Sequence, residues 1–386
     1  MSLGRTRRIL LSTGTSALRY AFSKVLPRKS SSQKCCTSGT ITFLSPSGYA
    51  PQRANRMAWT LKTKLQGVLR RHALKPVILM YHRIAATDLD PWELAVSPTN
   101  FEKQVLDLGK TRRVLPLLEF ASRHIEGSLP PDAAAITFDD GYACNALIAA
   151  PILETLGLPA TFFLATSMLG KTDEFWNDAL ERVIFDPRAA GPASMVVAGR
   201  EAHVDLGEHA DDYQLGRGWR AMQEPPRTAR EHAYLKLWEV LKPVSLDVQY
   251  QAIESLARQV GSDLAPRTSH RPMTIDEARL LSRRSRLDIS GHTETHVSLP
   301  LWDRHIQLKE IQQSRRTCED LSCRPCPTFA YPYGDYSDLT IECAIESGLV
   351  CAVSAYPRTV ANTDLPLVLP RIMMTNESIV GHLGAN

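Results

Sequence analysis

With 386 residues, 44% apolar and 22% charged, the chain has the make-up of a globular protein with a large core, and the length suits one α/β barrel carrying insertions. No run of about 18 apolar residues occurs, so no transmembrane helix is expected. The net charge of +4 is unevenly spread: sixteen Lys and Arg precede the first acid, Asp88, after which 29 bases face 41 acids. That acidic body argues against a nucleic-acid partner, because phosphate contacts need a cationic face.

The head, residues 1–56, is rich in Ser, Thr and Arg and has no acids, as expected of a transit-like or disordered leader, or of residues upstream of a true start at Met57. Residues 57–75 place Leu61, Leu65, Val68 and Leu69 at helical spacing among Lys62, Lys64, Arg70 and Arg71. A basic amphipathic helix of this kind can rest on an anionic membrane surface or pack on the following domain.

From residue 76 onward, strands and helices alternate. Val77–Tyr81 reads as a buried strand, Pro98 to Leu108 as a helix, Val114–Leu117 as a strand and Leu118–Ile125 as a helix. Next come a strand at Ala133–Phe138, a helix over Asn145–Leu156 and a strand at Ala160–Leu164. Residues 171–270 break the rhythm and read as a mostly helical insertion, with helices at Arg230–Leu241 and Val248–Val260. The alternation then resumes: helix Met273–Arg284, strand Leu287–Ser290, helix His305–Leu321, strand Thr328–Tyr331, helix Leu339–Ser347, strand Leu349–Ser354. Strands alternating with helices of this length imply a parallel sheet.

Cys35, Cys36, Cys144, Cys318, Cys323, Cys326, Cys343 and Cys351 read as free thiols of a reducing compartment. The spacing Cys323-Arg-Pro-Cys326 suits a redox pair or half a zinc site, but it precedes a strand and has no second CxxC, so a structural role is favoured. The expected location is cytoplasmic or peripheral to a membrane, unless the basic head is a targeting signal.

Three short segments at strand ends carry chemistry. Thr137-Phe-Asp-Asp-Gly141 sets two carboxylates side by side, which repel unless a cation is near; Asp-Asp-Gly is also a good turn. Gly291-His-Thr-Glu-Thr-His296 spaces two imidazoles so that both can reach one ion, and a surface pair is the alternative. Ala330-Tyr-Pro-Tyr-Gly334 offers an aromatic wall and a backbone N–H, or simply a rigid loop. The ends of parallel strands are where α/β folds gather active-site groups.

Taken together and in this order, the three segments resemble the polysaccharide deacetylase family, of the chitooligosaccharide and peptidoglycan deacetylase type. Val77-Ile-Leu-Met-Tyr-His-Arg-Ile84, Ala160-Thr-Phe-Phe-Leu164 and Leu369-Pro-Arg-Ile372 add to the likeness. The resemblance implies a distorted (β/α)7-type barrel over residues 76–386, with the helical insertion at 171–270. It implies removal of N-acetyl groups from an N-acetylated glycan by a metal-dependent hydrolase, with zinc or another divalent cation such as Co2+ as cofactor. It further implies Asp139 as catalytic base, and Asp140, His292 and His296 as metal ligands. Tyr333 would supply an oxyanion N–H, and Tyr331, Pro332, Tyr333 and Gly334 would line the substrate site.

Two departures stand out. Where family members carry an Arg that bonds the catalytic Asp, this chain has Ala330, so Arg371 is the candidate replacement, with a surface Arg as the alternative. The family's general-acid His has its nearest counterpart in His382, while His82 reads either as a core histidine or as one reaching the barrel mouth. These departures leave two other readings open: a non-catalytic carbohydrate-binding relative, and a metal-dependent amidohydrolase for small linear or cyclic amides.

Overall fold

The computed structural model describes residues 74–208 and 217–383, so the leader and all but the last two residues of the amphipathic helix expected at 57–75 lie outside the described residues. The barrel begins with β1 (Val77–Tyr81), a short parallel pair β2 (Arg83–Ile84) and β3 (Ala95–Val96), α1 (Pro98–Thr111), β4 (Arg113–Val114) and α2 (Leu117–Ile125). It continues through β5 (Ala133–Phe138), α3 (Ala150–Thr155) and β6 (Ala160–Leu164). The insertion holds α4 (Trp176–Ile184), β7 (Pro192–Val197), β8 (Arg200–Asp205), α5 (Ala229–Leu241) and α6 (Leu246–Val260). The rest is α7 (Ile275–Ser282), β9 (Leu287–Gly291), α8 (Arg304–Ser322), β10 (Thr328–Ala330), α9 (Asp338–Glu346), β11 (Cys351–Val353) and β12 (Ile372–Met373).

Seven strands make one parallel sheet in the order β11-β10-β9-β6-β5-β1-β12, with β4 paired to the start of β5. The sheet curls. Leu369 bridges Val353 in parallel, while Ile372 and Met373 pair with Leu79 and Met80, so one short segment spans the gap between the edge strands. This is the distorted (β/α)7 arrangement expected from the sequence.

Side chains on a strand point alternately to its two faces. Val77, Leu79 and Tyr81, with Ala134, Ile136 and Phe138, face outward and pack on Phe101, Val105 and Leu108 of α1. Ile78, Ala133 and Ala135 face inward, where they meet Phe163, Ala330, Val353 and Leu369. The same alternation sends Thr137 and Asp139 into the barrel. Strand polarity therefore places the inward polar groups at the C-terminal end, above an apolar floor.

The insertion has its own core, built around Trp176, Leu180, Trp219, Tyr234, Leu237 and Leu256. It carries three helices among its described residues, and also the antiparallel hairpin of β7 and β8, which the sequence reading did not anticipate. The hairpin turns at Ala198 and Gly199, both with positive φ (48° and 76°), which is the signature of a two-residue primed turn. Such turns favour Asn-Gly or Asp-Gly, and Ala198 hides the signal. After the insertion, Thr274 and Glu277 cap the start of α7 reciprocally, which fixes where the barrel's helices resume.

Cys323 and Cys326 are both free, Cys323 exposed at the end of α8 and Cys326 buried. Among the described residues no helix is long and apolar enough to cross a membrane.

Candidate active site

Asp139 ends β5 pointing inward and is 2% exposed. Arg371, wholly buried, meets it with two parallel hydrogen bonds, from Nη1 to Oδ1 at 2.7 Å and from Nη2 to Oδ2 at 2.6 Å. The guanidinium is aimed by two further bonds, Nε to the Ser354 carbonyl at 2.8 Å and Nη1 to Thr137 Oγ1 at 3.1 Å. Arg371 thus brings to Asp139 the cation that Ala330 cannot supply. Burial pushes the Asp139 carboxyl up, but the charge of Arg371, with His292 and His82, outweighs it and holds the group below its usual range, as a carboxylate.

Asp140 follows with φ at +73°, a left-handed turn that redirects the chain and sets its carboxylate beside the two histidines. Its Oδ1 is 3.3 Å from His292 Nε2 and 3.1 Å from His296 Nε2. All three residues are buried, and their ligand atoms lie within 4.8 Å of one another, so the set can hold a metal ion. The donors suit one: the His292 Nδ1 lies 2.8 Å from the Ala330 carbonyl, which fixes the proton there and leaves Nε2 with its lone pair free. Burial raises the Asp140 carboxyl, yet the adjacent imidazoles hold it well below its usual range.

Glu310 of α8 organises the loop between the two histidines. Its carboxylate accepts from the N–H groups of Glu294 and Thr295, both at 2.8 Å, and from the Thr295 hydroxyl at 2.7 Å. Thr293 and His296 also sit at positive φ, 63° and 58°. Each non-glycine residue in this region costs about 1–2 kcal/mol. With Asp140 and Tyr333 that makes four such residues in one site, an arrangement that persists only where surrounding bonds over-determine it.

Tyr333 has φ +60° and ψ 3°. The turns of its loop use the N–H groups of Gly334 and Asp335, which donate to the carbonyls of Tyr331 and Pro332, and leave that of Tyr333 out. Its ring lies 4.9 Å from that of His296. Gly334 is required beside it: φ is +72°, and a Cβ would come within 2.6 Å of the Ala355 backbone nitrogen.

Not every residue expected at the site reaches it. Tyr331 alternates outward from β10, is fully buried, and donates its hydroxyl to the Leu367 carbonyl, so it presents no surface to a sugar; Pro332 is buried too. The turn Val380–His382 does not approach Asp139. After Met373 the chain runs along α1, where Gln104 bonds the carbonyls of Thr375 and Ser378, and then reaches Arg112, which holds both Leu383 and Lys75 at the start of β1. That is the opposite end of the barrel.

His82 is at the mouth. Tyr81 pairs with Phe138 across β1 and β5, and the Asp139 N–H donates to the Tyr81 carbonyl, so His82 is level with Asp139 and shares its inward face. Unlike Asp139, it is partly exposed. Burial lowers its pKa, and the charges of Asp140 and Asp139 offset part of that.

A family model described as polysaccharide deacetylase matches residues 126–268 and 258–352. No curated protein sequence matches the chain. Among solved structures, the Streptococcus pyogenes deacetylase PplD in complex with acetate is similar at 16% identity and a TM-score of 0.51, over 81% of this chain and 99% of that one. At that identity the likeness speaks for the fold. Two further matches are BC0361, a polysaccharide deacetylase from Bacillus cereus (15% identity, TM-score 0.48, 80% of this chain and 67% of that one), and IcaB from Ammonifex degensii (16%, 0.47, 79% and 93%).

Proposed function

The chain belongs to the polysaccharide deacetylase family, and on that premise we propose that it hydrolyses the acetamide of N-acetylated amino sugars in a glycan. The observation that carries this reading is the pairing of two functions at one strand end: Asp140 with His292 and His296 as a buried ligand set, and Asp139 left beside it as a carboxylate gripped by Arg371.

Bound by Asp140, His292 and His296, a divalent ion such as Zn2+ or Co2+ would polarise the acetyl carbonyl and lower the pKa of an attacking water towards about 7. Asp139 is the base that takes the water's proton. Its low basicity is offset by proximity, and Arg371 keeps it ionised and fixed in orientation. The N–H of Tyr333 donates to the oxyanion as the carbonyl carbon becomes tetrahedral. His82, level with Asp139 and partly open, passes a proton to the leaving nitrogen. Its net lowered pKa makes the protonated ring a stronger acid than free imidazolium. The products are acetate and a free amine.

Arg371 also bears on the alternatives. A non-catalytic binding role draws its support from Ala330 and from the missing match to the family's general acid, and a buried guanidinium on Asp139 answers the first of these. The test is acetate release from N-acetylglucosamine oligomers, peptidoglycan and small amides, with Zn2+ or Co2+ supplied and again with a chelator. Release from the oligomers, lost on chelation and in Asp139→Asn with the ion retained, is the expected result. No release from any glycan by the ion-loaded protein overturns the proposal, and turnover of small amides alone selects an amidohydrolase.

A further inference from the structure

Tyr333 belongs to the barrel by sequence, yet its side chain packs against the core of the insertion. Trp176, 1% exposed on α4, donates its indole N–H to the Tyr333 hydroxyl at 3.1 Å. Lys242, just past α5, holds its ammonium 4.6 Å above the Tyr333 ring and 2.7 Å from Asp335 Oδ2, two residues along the same loop. Trp238 of α5 meets the Tyr333 ring edge-on, with centroids 6.0 Å apart and planes at 89°. On the barrel side, Gly334 presses against Ala355 with no room for a Cβ. The loop is pinched between two bodies at the residue whose backbone is left-handed.

We propose that the insertion acts as a clamp: Trp176 and Lys242 are positioning residues that hold Tyr333 at positive φ and so aim its backbone N–H at the reacting carbonyl. Without the clamp, a tyrosine relaxes to negative φ, because a Cβ disfavours the left-handed region. Such a relaxation swings the peptide that carries the donor. The hydroxyl of Tyr333 then has a purpose unrelated to chemistry on the substrate: it is the handle by which α4 grips the loop. Trp176 never touches substrate in this scheme, since it is enclosed by the insertion's own core.

This inference rests on the deacetylase reading for its kinetic arm only. Trp176→Phe keeps an aromatic ring, though a smaller one, and removes the donor, Tyr333→Phe removes the acceptor and keeps the backbone, and Lys242→Met removes the cation. Each single variant should lower kcat about tenfold with KM and bound Zn2+ unchanged, since small misplacements of a catalytic group are costly. Trp176→Phe combined with Tyr333→Phe should fall no further than either alone, and Lys242→Arg should restore most of the rate. Additive losses, or kcat within twofold of wild type, overturn the clamp. The second arm needs no activity: a crystal structure of the Trp176→Phe/Lys242→Met protein should show Tyr333 out of the left-handed region. Retention of positive φ there overturns the proposal even if the wild type proves inactive on every glycan.

Discussion

Arg371 and Asp139, separated by 232 residues of chain, meet in a two-pronged ion pair at the C-terminal end of the barrel. The pair is almost wholly buried, with side-chain exposures of 0% and 3%. Removing one partner of such a pair leaves the other as an isolated buried charge, typically at about 3–5 kcal/mol. Arg371→Met should therefore lower unfolding stability by an amount in that range and abolish acetate release. Arg371→Lys keeps the charge but not the fork, and should recover part of the stability while leaving kcat depressed. Denaturant titration beside the activity assay checks both, and a stable Arg371→Met protein would contradict the account.

Glu310 should govern ion affinity without being a ligand. Glu310→Ala orphans the N–H groups of Glu294 and Thr295 and frees the loop that carries His296. A roughly 10- to 100-fold weaker binding of Zn2+ is expected, the size usual for residues that orient metal ligands. Competition with a chromophoric chelator measures it; unchanged affinity would show that the loop holds its shape without the carboxylate.

His82 offers a test of proton delivery. His82→Gln should reduce kcat by about 10²–10⁴, the usual share of a general acid, and leave the ion content of the protein as it was. His382→Gln, on the turn held at the far end of the barrel, should leave kcat within a factor of about two of wild type if it has no part in proton transfer. The reverse ranking would return the acid role to the end of the chain.

The insertion carries a pH dependence of its own. His270 is 4% exposed and faces the charges of Arg83 and Arg267; burial and those charges push it down to about 2 from 6.5. Below pH 6.5 the unfolded chain takes up a proton that the folded one refuses, so stability falls as pH drops through that value. The loss should reach about 1.4 kcal/mol per pH unit, and His270→Gln should flatten the curve between pH 7 and pH 5.5 by about that amount. Parallel slopes for the two proteins, in denaturation series at both pH values, would rule the histidine out as the source.

Much of the site was legible in the sequence because strand ends announce themselves. Asp139 and Asp140 follow an apolar run, His292 and Tyr333 come just after the shorter strands β9 and β10, and the alternation along β5 fixes which acid points inward. Arg371 was legible only by default, as a replacement for a missing cation; no local pattern says that the segment around it closes the sheet. His382 was hard to place for a related reason. Spacing shows a histidine near the end of the chain but not that the path after Met373 descends along α1. Glu310 gave no signal, since a glutamate on a largely polar helix looks like any solvated one. Tyr331 looked like a cleft residue because Tyr333 is one, but Tyr331 shares the outward face of Phe329, and the left-handed turn at Tyr333 re-aims the chain only after it.

The segment from Leu369 to Met373 has a consequence for how the protein is made. A chain emerging from the ribosome produces Asp139 long before Arg371, so six strands can pair while the carboxylate at their centre still lacks its counter-charge. Until translation passes Arg371, dehydrating the mouth would strand that charge, and water must stay. Drying of the interior therefore waits on the synthesis of Arg371, and a nascent chain stalled upstream of it should remain open to hydrogen exchange along β5.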